Sequence, residues 1–427
     1  MLIGSVHISR MEASVSPTWR CPYPGSSIPT LALGLFLSSS LLLPVAGVAQ
    51  QSTLDDPFFG ITTDGNRIPN LFPIRATGVS TKPIAEAARV YLGTLRPEQL
   101  TETRFEMDDN EWRHWSNVSV GIEARMGLSF RNMNATQREA AFALVRSGMS
   151  ARGFEQVRNI MRIDGYLADV LDDLEGYGEY LYFIDIFGEP SETEPWGWQL
   201  DGHHLVINYF VMGDQVVMSP TFWGSEPVTV ETGRYAGTEV LQEEQNIGLA
   251  FMESLRPDQR RIATLGTDKT SNNQLAAAFR DNTLIQEVGI RGDQLDKAQR
   301  ERLMAVVGLW VGATRDDHAQ LRMDEVWAHL DDTHFTWVGE VGNEELYYYR
   351  IQSPVIVIEF DHTIPVSFSV EPRMPSRTHI HAGVRTPNGN DYGKDLLRQH
   401  YEQHANDPNH AHDPLEVAGS HDNAGSR

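Results

Sequence analysis

Apolar positions recur at helical spacing from Ser80, a residue suited to cap a helix, through KPIAEAARVYLGTL. A local phrase then returns four times, as Pro97-Glu98-Gln99, Ala135-Thr136-Gln137-Arg138, Pro257-Asp258-Gln259-Arg260 and Lys297-Ala298-Gln299-Arg300. Each copy opens an apolar-periodic stretch, and an early proline or acid suits the unpaired amides of a helix start. The phrase reads as capping chemistry, because its intervals are too irregular for a solenoid array. Over 180–222 the period changes to that of strands, and two β-rich runs meet at Gly213-Asp214, a hairpin signal. Residues 236–331 return to helical patterning. A second β-rich block follows as HFTWVGE, ELYYYRIQ, PVIVIEFDHT and THIHAGVRT, then a last helix from about Tyr392. The pattern predicts an α+β fold: one antiparallel sheet from two β-rich blocks, helices packed on it, and a helical insertion between them. Two separate domains are the rival arrangement.

The ends of the chain read differently. TLALGLFLSSSLLLPVAGVA, over 30–49, is uncharged, with Arg10 and Arg20 before it and a polar QQSTLDD after it. Gly47 and Ala49 are the small residues a signal peptidase requires, so residues 1–49 read as a secretory signal peptide. Three serines and Pro44 interrupt the run and argue against a retained membrane anchor. Residues 50–79 are an irregular Pro/Gly/Asp-rich strap, 80–404 a single α+β domain, and 405–427 a polar His-rich tail. A secreted or periplasmic protein is expected.

Composition narrows the partner. The chain has 427 residues, 41% of them apolar, and a formal net charge of −23. Such an excess of carboxylates repels phosphate backbones and anionic lipid, so neither nucleic acid nor, after cleavage, a membrane is an expected partner. A small-molecule substrate or ligand remains. The only cysteine, Cys21, lies in the leader, which removes thiolate chemistry, disulfides and Cys-ligated metals from the mature chain. The sequence leaves the oligomeric state open.

The strongest chemical signal is Thr378-His379-Ile380-His381. On a strand, His379, His381, Gly383 and Arg385 share one face, and two imidazoles on one face can hold a divalent metal such as Zn, Fe, Cu or Mn. The competing reading is a hydrogen-bonded pair. Over 355–362 a second strand turns Ile356, Ile358 and Phe360 one way and Glu359 and Asp361 the other. If the two strands pair, a two-His, one-carboxylate centre can form, whereas a salt bridge to Arg385 is the alternative. A carboxylate shortly after His-x-His would suit a cupin; Arg385 stands there instead.

A second cluster, Trp196-Gly197-Trp198-Gln199-Leu200-Asp201-Gly202-His203-His204, leads to Asn208. Trp196, Trp198 and Asn208 are candidate walls of a pocket for a sugar or aromatic group, against the commoner role of aromatics in a core. One of His203 and His204 can join the metal, with a bulge at Gly202 to aim it. Glu226 is a candidate general base, against loop capping, and Arg385 a candidate holder of an anionic group. His400 and His404 share a face of the last helix and lead into the tail, a weaker metal candidate. No Gly-x-Ser-x-Gly elbow, phosphate loop, His-Glu-x-x-His or dinucleotide fingerprint occurs.

The phrases TQREAAFALVRSGMSARGF, FGEPSETEPWGWQLDGHHLVINYFVMGDQVVMSPTFWGSEPV, RIQSPVIVIEFDHT and THIHAGVRTPNGNDYGKDLLRQHY resemble the uncharacterised family known as domain of unknown function 3500. The resemblance spans roughly residues 82–404 and both β blocks, which implies one continuous domain. It implies no activity. The expectation is therefore an exported metal-dependent enzyme, hydrolytic or oxidative, with a non-catalytic extracytoplasmic binding protein for small molecules or metal as the alternative.

Overall fold

The computed structural model describes residue 54 and residues 56–405. The expected signal peptide, and the tail beyond its first residue, lie outside the described residues. Nine α-helices are described: α1 (Lys82–Gly93), α2 (Pro97–Thr103), α3 (Ala135–Ser147), α4 (Ala151–Leu171), α5 (Gln242–Ser254), α6 (Pro257–Ala263), α7 (Lys297–Val311), α8 (Asp316–Ala328) and α9 (Lys394–His404). Among the described residues twelve strands form one mostly antiparallel sheet. They are β1 (Arg104–Phe105), β2 (Leu128–Ser129), β3 (Tyr182–Phe187), β4 (Trp196–Gly202), β5 (Leu205–Met212), β6 (Gln215–Ser225), β7 (Thr264–Gly266), β8 (Ile290–Arg291), β9 (His334–Gly339), β10 (Tyr347–Gln352), β11 (Val357–His362) and β12 (Ile380–Arg385). No described helix is long and apolar enough to cross a membrane.

The strand order is β1-β3-β4-β5-β6-β12-β11-β10-β9-β7, with β2 beside β3 and β8 beside β9. It reads the same from either end. Two helices, two short strands, two helices and four long strands occur first over 82–225 and again over 242–385. The short strands repeat their roles: β1 and β7 run parallel to β3 and β9, while β2 and β8 pair with those strands antiparallel. The recurring phrase belongs to this repetition. Gln99 and Gln259 lie 160 positions apart, and Gln137 and Gln299 lie 162 apart. Taken one after another along the chain the four copies are unevenly spaced, which hid their regular recurrence from one half to the other.

Each of these glutamines is the third residue of its helix and takes a hydrogen bond from the backbone N–H of the residue capping that helix. The side chains then meet in pairs. Gln137 Nε2 donates to Gln99 Oε1 at 2.7 Å, and Gln259 and Gln299 donate to each other at 3.0 and 2.8 Å. Capping of α2 and α3, and of α6 and α7, is thus welded into one buried polar pair per half.

β4, β5 and β11 are buried along their whole length because both sheet faces are covered there. Helices and the inward side chains of the sheet form the main core on one face, including Ile358, Phe360, Ala382 and Val384. On the other face Trp112 and Trp115 pack with Phe187, Val206, Phe222 and Tyr392. That second face carries the candidate chemistry.

Replacing Gln259 by Ala should leave the fold in place and cost about 1–3 kcal/mol, since Gln299 and the α6 cap each lose a buried partner. Urea unfolding of the variant beside the parent checks this; an unchanged midpoint would show the pair to be incidental.

Candidate metal centre

β12 turns Ile380, Ala382 and Val384 into the helix-side core and leaves His381, Gly383 and Arg385 on the opposite face. His379 lies in a bend just before the strand, so its position is set by the loop and not by strand alternation. The third imidazole comes from a hairpin. β4 and β5 close at Gly202 opposite Leu205, which makes His203-His204 a two-residue turn where the sequence suggested a strand with a bulge. His204 takes φ 62°, its carbonyl accepts from Gly224 N at 2.7 Å, and its own N–H donates to the Asn117 carbonyl at 3.2 Å.

The three rings converge through their Nε2 atoms. His379 Nε2 lies 3.2 Å from His204 Nε2 and 3.0 Å from His381 Nε2. One donor atom from each of the three lies within 4.8 Å of the others, so this group can hold a metal ion. Nitrogens bound to one ion at 2.0–2.1 Å, with tetrahedral or octahedral angles, are spaced roughly 2.8–3.4 Å apart, and both short separations fall in that range. Gly224, opposite His381 in the register, makes the approach feasible. A Cβ there would meet His204 Cδ2 at 3.1 Å and the Ile380 carbonyl at 3.0 Å.

The protonation states are fixed by the surroundings. His379 Nδ1 lies 2.9 Å from the Ile364 carbonyl oxygen, which can only accept, so Nδ1 carries the proton and Nε2 keeps its lone pair. Burial pushes His204, His379 and His381 all below the ordinary imidazole range, and the neighbouring rings add to this for His204 and His381. The Glu226 carboxylate, 3.5 Å from His379 Nδ1, opposes the shift without overcoming it. Neutral imidazoles are the form a metal requires, and His379 presents its Nε2 lone pair to the other two rings.

Glu226 is buried beyond the end of β6 and accepts backbone N–H bonds from Val366, Ser367 and Phe368 at 2.8–3.1 Å. It is the loop-capping glutamate that sequence reasoning weighed against a general base, and the loop it fixes carries the Ile364 carbonyl that orients His379. His203, next to the triad, stacks on His204 with ring centroids 3.9 Å apart and is held by Asp164 Oδ1 at 2.6 Å.

The other candidates are occupied elsewhere. β11 does pair with β12, and Asp361 stands opposite His381, but a loop over this face takes both carboxylates. Glu359 accepts from Leu275 N, Ala276 N and the Tyr348 hydroxyl. Asp361 accepts from Asn273 N and Gln274 N and lies 3.1 Å from Lys269 Nζ; burial pushes it up to about 6 against that charge. Arg385 is buried between Asp281 at 2.6 Å and Asp391 at 2.8 Å, so its charge is spent inside the protein. Trp196 and Trp198 are packed in the main core, Trp198 stacked on Tyr209 at 4.9 Å, and offer no pocket wall. Asn208 accepts from Gln199 Nε2 and donates to the Pro220 carbonyl. Gly224, Asp164 and the Ile364 carbonyl escaped sequence reasoning; only the long-range register reveals them.

His362 adds to the same pH dependence: its Nδ1 accepts from Tyr347 N at 3.0 Å and its Nε2 lies 2.8 Å from Gln245 Oε1. Burial holds it well below the ordinary range, with Arg377 and Lys269 acting in the same direction. For these four histidines the unfolded chain binds more protons than the folded one, so their contribution to stability is present above the ordinary imidazole pKa of about 6.5 and is lost as pH falls below it. Metal-free protein should show a falling urea midpoint from pH 7.5 to 5, with a smaller fall in a His362→Gln variant.

No curated protein and no solved structure matches this chain. Residues 77–394 match the sequence model of one family, described as a protein of unknown function (DUF3500), and the chain belongs to that family.

Proposed function

We propose that this protein is an exported metal-dependent hydrolytic enzyme with a mononuclear centre on His204, His379 and His381. The observation that carries the reading is the convergence of three imidazole Nε2 atoms, two of the separations being 3.0 and 3.2 Å. The donor set favours hydrolysis over oxygen chemistry. Two histidines and one carboxylate are the pattern for non-haem iron, whereas three imidazoles and an open position suit zinc, which supplies a bound water acidic enough to attack near neutral pH. Three neutral ligands leave the ion its full charge. The chain's part is to keep the imidazoles neutral, with Glu226 and the Ile364 carbonyl orienting His379. Around this centre the two β-rich blocks and the helical segment between them are read as a single domain over 80–404, a reading supported by the unbroken strand order.

A second reading, a non-catalytic extracytoplasmic metal- or ligand-binding protein, draws on the low exposure of His204 (6%) and His379 (2%). Metal analysis by mass spectrometry on protein purified without a His-tag should find about one equivalent of zinc. His379→Ala/His381→Ala should lose it, while deletion of 405–427 should keep it. Zinc with chelator-sensitive cleavage of an ester, amide or phosphoester panel supports the enzyme; bound zinc without turnover supports the second reading. Metal absent from the parent after zinc reconstitution would sink both metal readings.

Replacing Glu226 by Gln should weaken zinc affinity about 10–100-fold with the fold retained, because the orienting loop is loosened and the nearest buried carboxylate is neutralised. Competition with a chromophoric chelator measures this.

A further inference from the structure

On the helix side of the sheet a cavity of about 420 Å³ lies among the ends of β6 and β12, helices α7, α8 and α9, and the strap over 70–77. Its volume is in the range of small-molecule sites. Met218, Trp310, Leu321, Ile356, Val384 and Leu396 give it an apolar lining. It is distinct from the histidine triad, because Val384 and His381 project to opposite faces of β12.

One buried polar group in this lining lacks a partner. His318, in the first turn of α8, is 5% exposed, and its Nε2 has no hydrogen bond. Leaving such an atom unpaired costs about 1–3 kcal/mol, which a ligand can recover. Neighbouring polar groups are satisfied. Thr314 Oγ1 donates to Met218 Sδ, and Arg322 donates to the Val355 carbonyl and pairs with Glu325. The charged lining residues, Arg75 and Arg322 against Asp324 and Glu325, balance, so the cavity favours a ligand without net charge. The indole of Trp310 and the thioether of Met218 suit an aromatic ring.

We propose that this cavity binds an uncharged aromatic molecule bearing a hydroxyl group, the ring against Trp310, Met218 and Val384 and the hydroxyl hydrogen-bonded to His318 Nε2. Burial keeps the imidazole neutral, so it offers that hydroxyl a partner without adding a charge.

The test titrates the full chain with 2-naphthol and, as a probe lacking the hydroxyl, naphthalene, followed by fluorescence and calorimetry. The parent should bind about one equivalent of 2-naphthol. His318→Phe should weaken 2-naphthol about tenfold and leave naphthalene unchanged, a factor that corresponds to about 1.4 kcal/mol. Leu321→Trp and, at an exposed lining position, Ala328→Trp should block both probes, with circular dichroism verifying the fold. His379→Ala/His381→Ala should bind as the parent does. Absence of saturable binding, binding that survives both tryptophan variants, or an equal loss of both probes in His318→Phe would overturn the proposal. The metal reading is untouched by any of these outcomes.

Discussion

The ladder between β6 and β12 is the joint on which the candidate centre depends. It pairs Ser225 with Ile380, Gly224 with His381, Trp223 with Ala382, Phe222 with Gly383 and Thr221 with Val384. Side chains alternate across a strand, so a slip of one residue would send His381 into the helix-side core and bring Ala382 out. The register is held from that side by Ile380, Ala382 and Val384, whose burial a slip would undo. Everything else at the centre is measured from this joint. Gly224 clears the space opposite His381, the β4–β5 turn hangs His204 over Gly224 through a backbone hydrogen bond, and Glu226 follows β6 directly to reach the loop before β12.

The same sheet face solves two electrostatic problems in different ways. At Arg385 a full charge is buried and compensated: Asp281 and Asp391 flank the guanidinium, Arg113 pairs with Asp281 at 2.8 Å, and Tyr392 donates its hydroxyl to Asp281. A charge network so enclosed is stable only when every member has its partner. Four residues along β12 the triad takes the opposite course, stripping charge from its imidazoles by burial. The result is a cluster of three converging imidazole nitrogens with one carboxylate, Glu226, beside His379 to balance a cation.

Much of this was legible in the residues. The Gly213-Asp214 hairpin, the apolar face of Ile356, Ile358 and Phe360, and the candidacy of His379, His381 and one of His203 and His204 as metal ligands follow from period, turn chemistry and ligand type. The alternatives the residues leave open share one cause. Glu359 and Asp361 stand in the sequence as metal ligands or as partners of Arg385, because alternation tells which face a side chain takes, not what covers that face. The covering loop, 273–276, lies more than eighty positions earlier in the chain and supplies backbone amides, which have no sequence signature. Likewise Trp196 and Trp198 show the same pattern in a core as in a pocket.

The sequence by itself determined where α2, α3, α6 and α7 begin, which strands turn an apolar face inward, and which side chains are chemically fit to hold a metal. These are properties of near neighbours, settled by backbone geometry, capping and side-chain type. Tertiary structure alone decided that β6 and β12 join the two repeated halves, that a two-residue turn at φ 62° aims His204, and that imidazoles instead of carboxylates complete the group. Those outcomes rest on contacts 155 to 175 residues apart, such as Gly224 with His381 and His204 with His379, and their register is fixed only when the whole buried face packs at once.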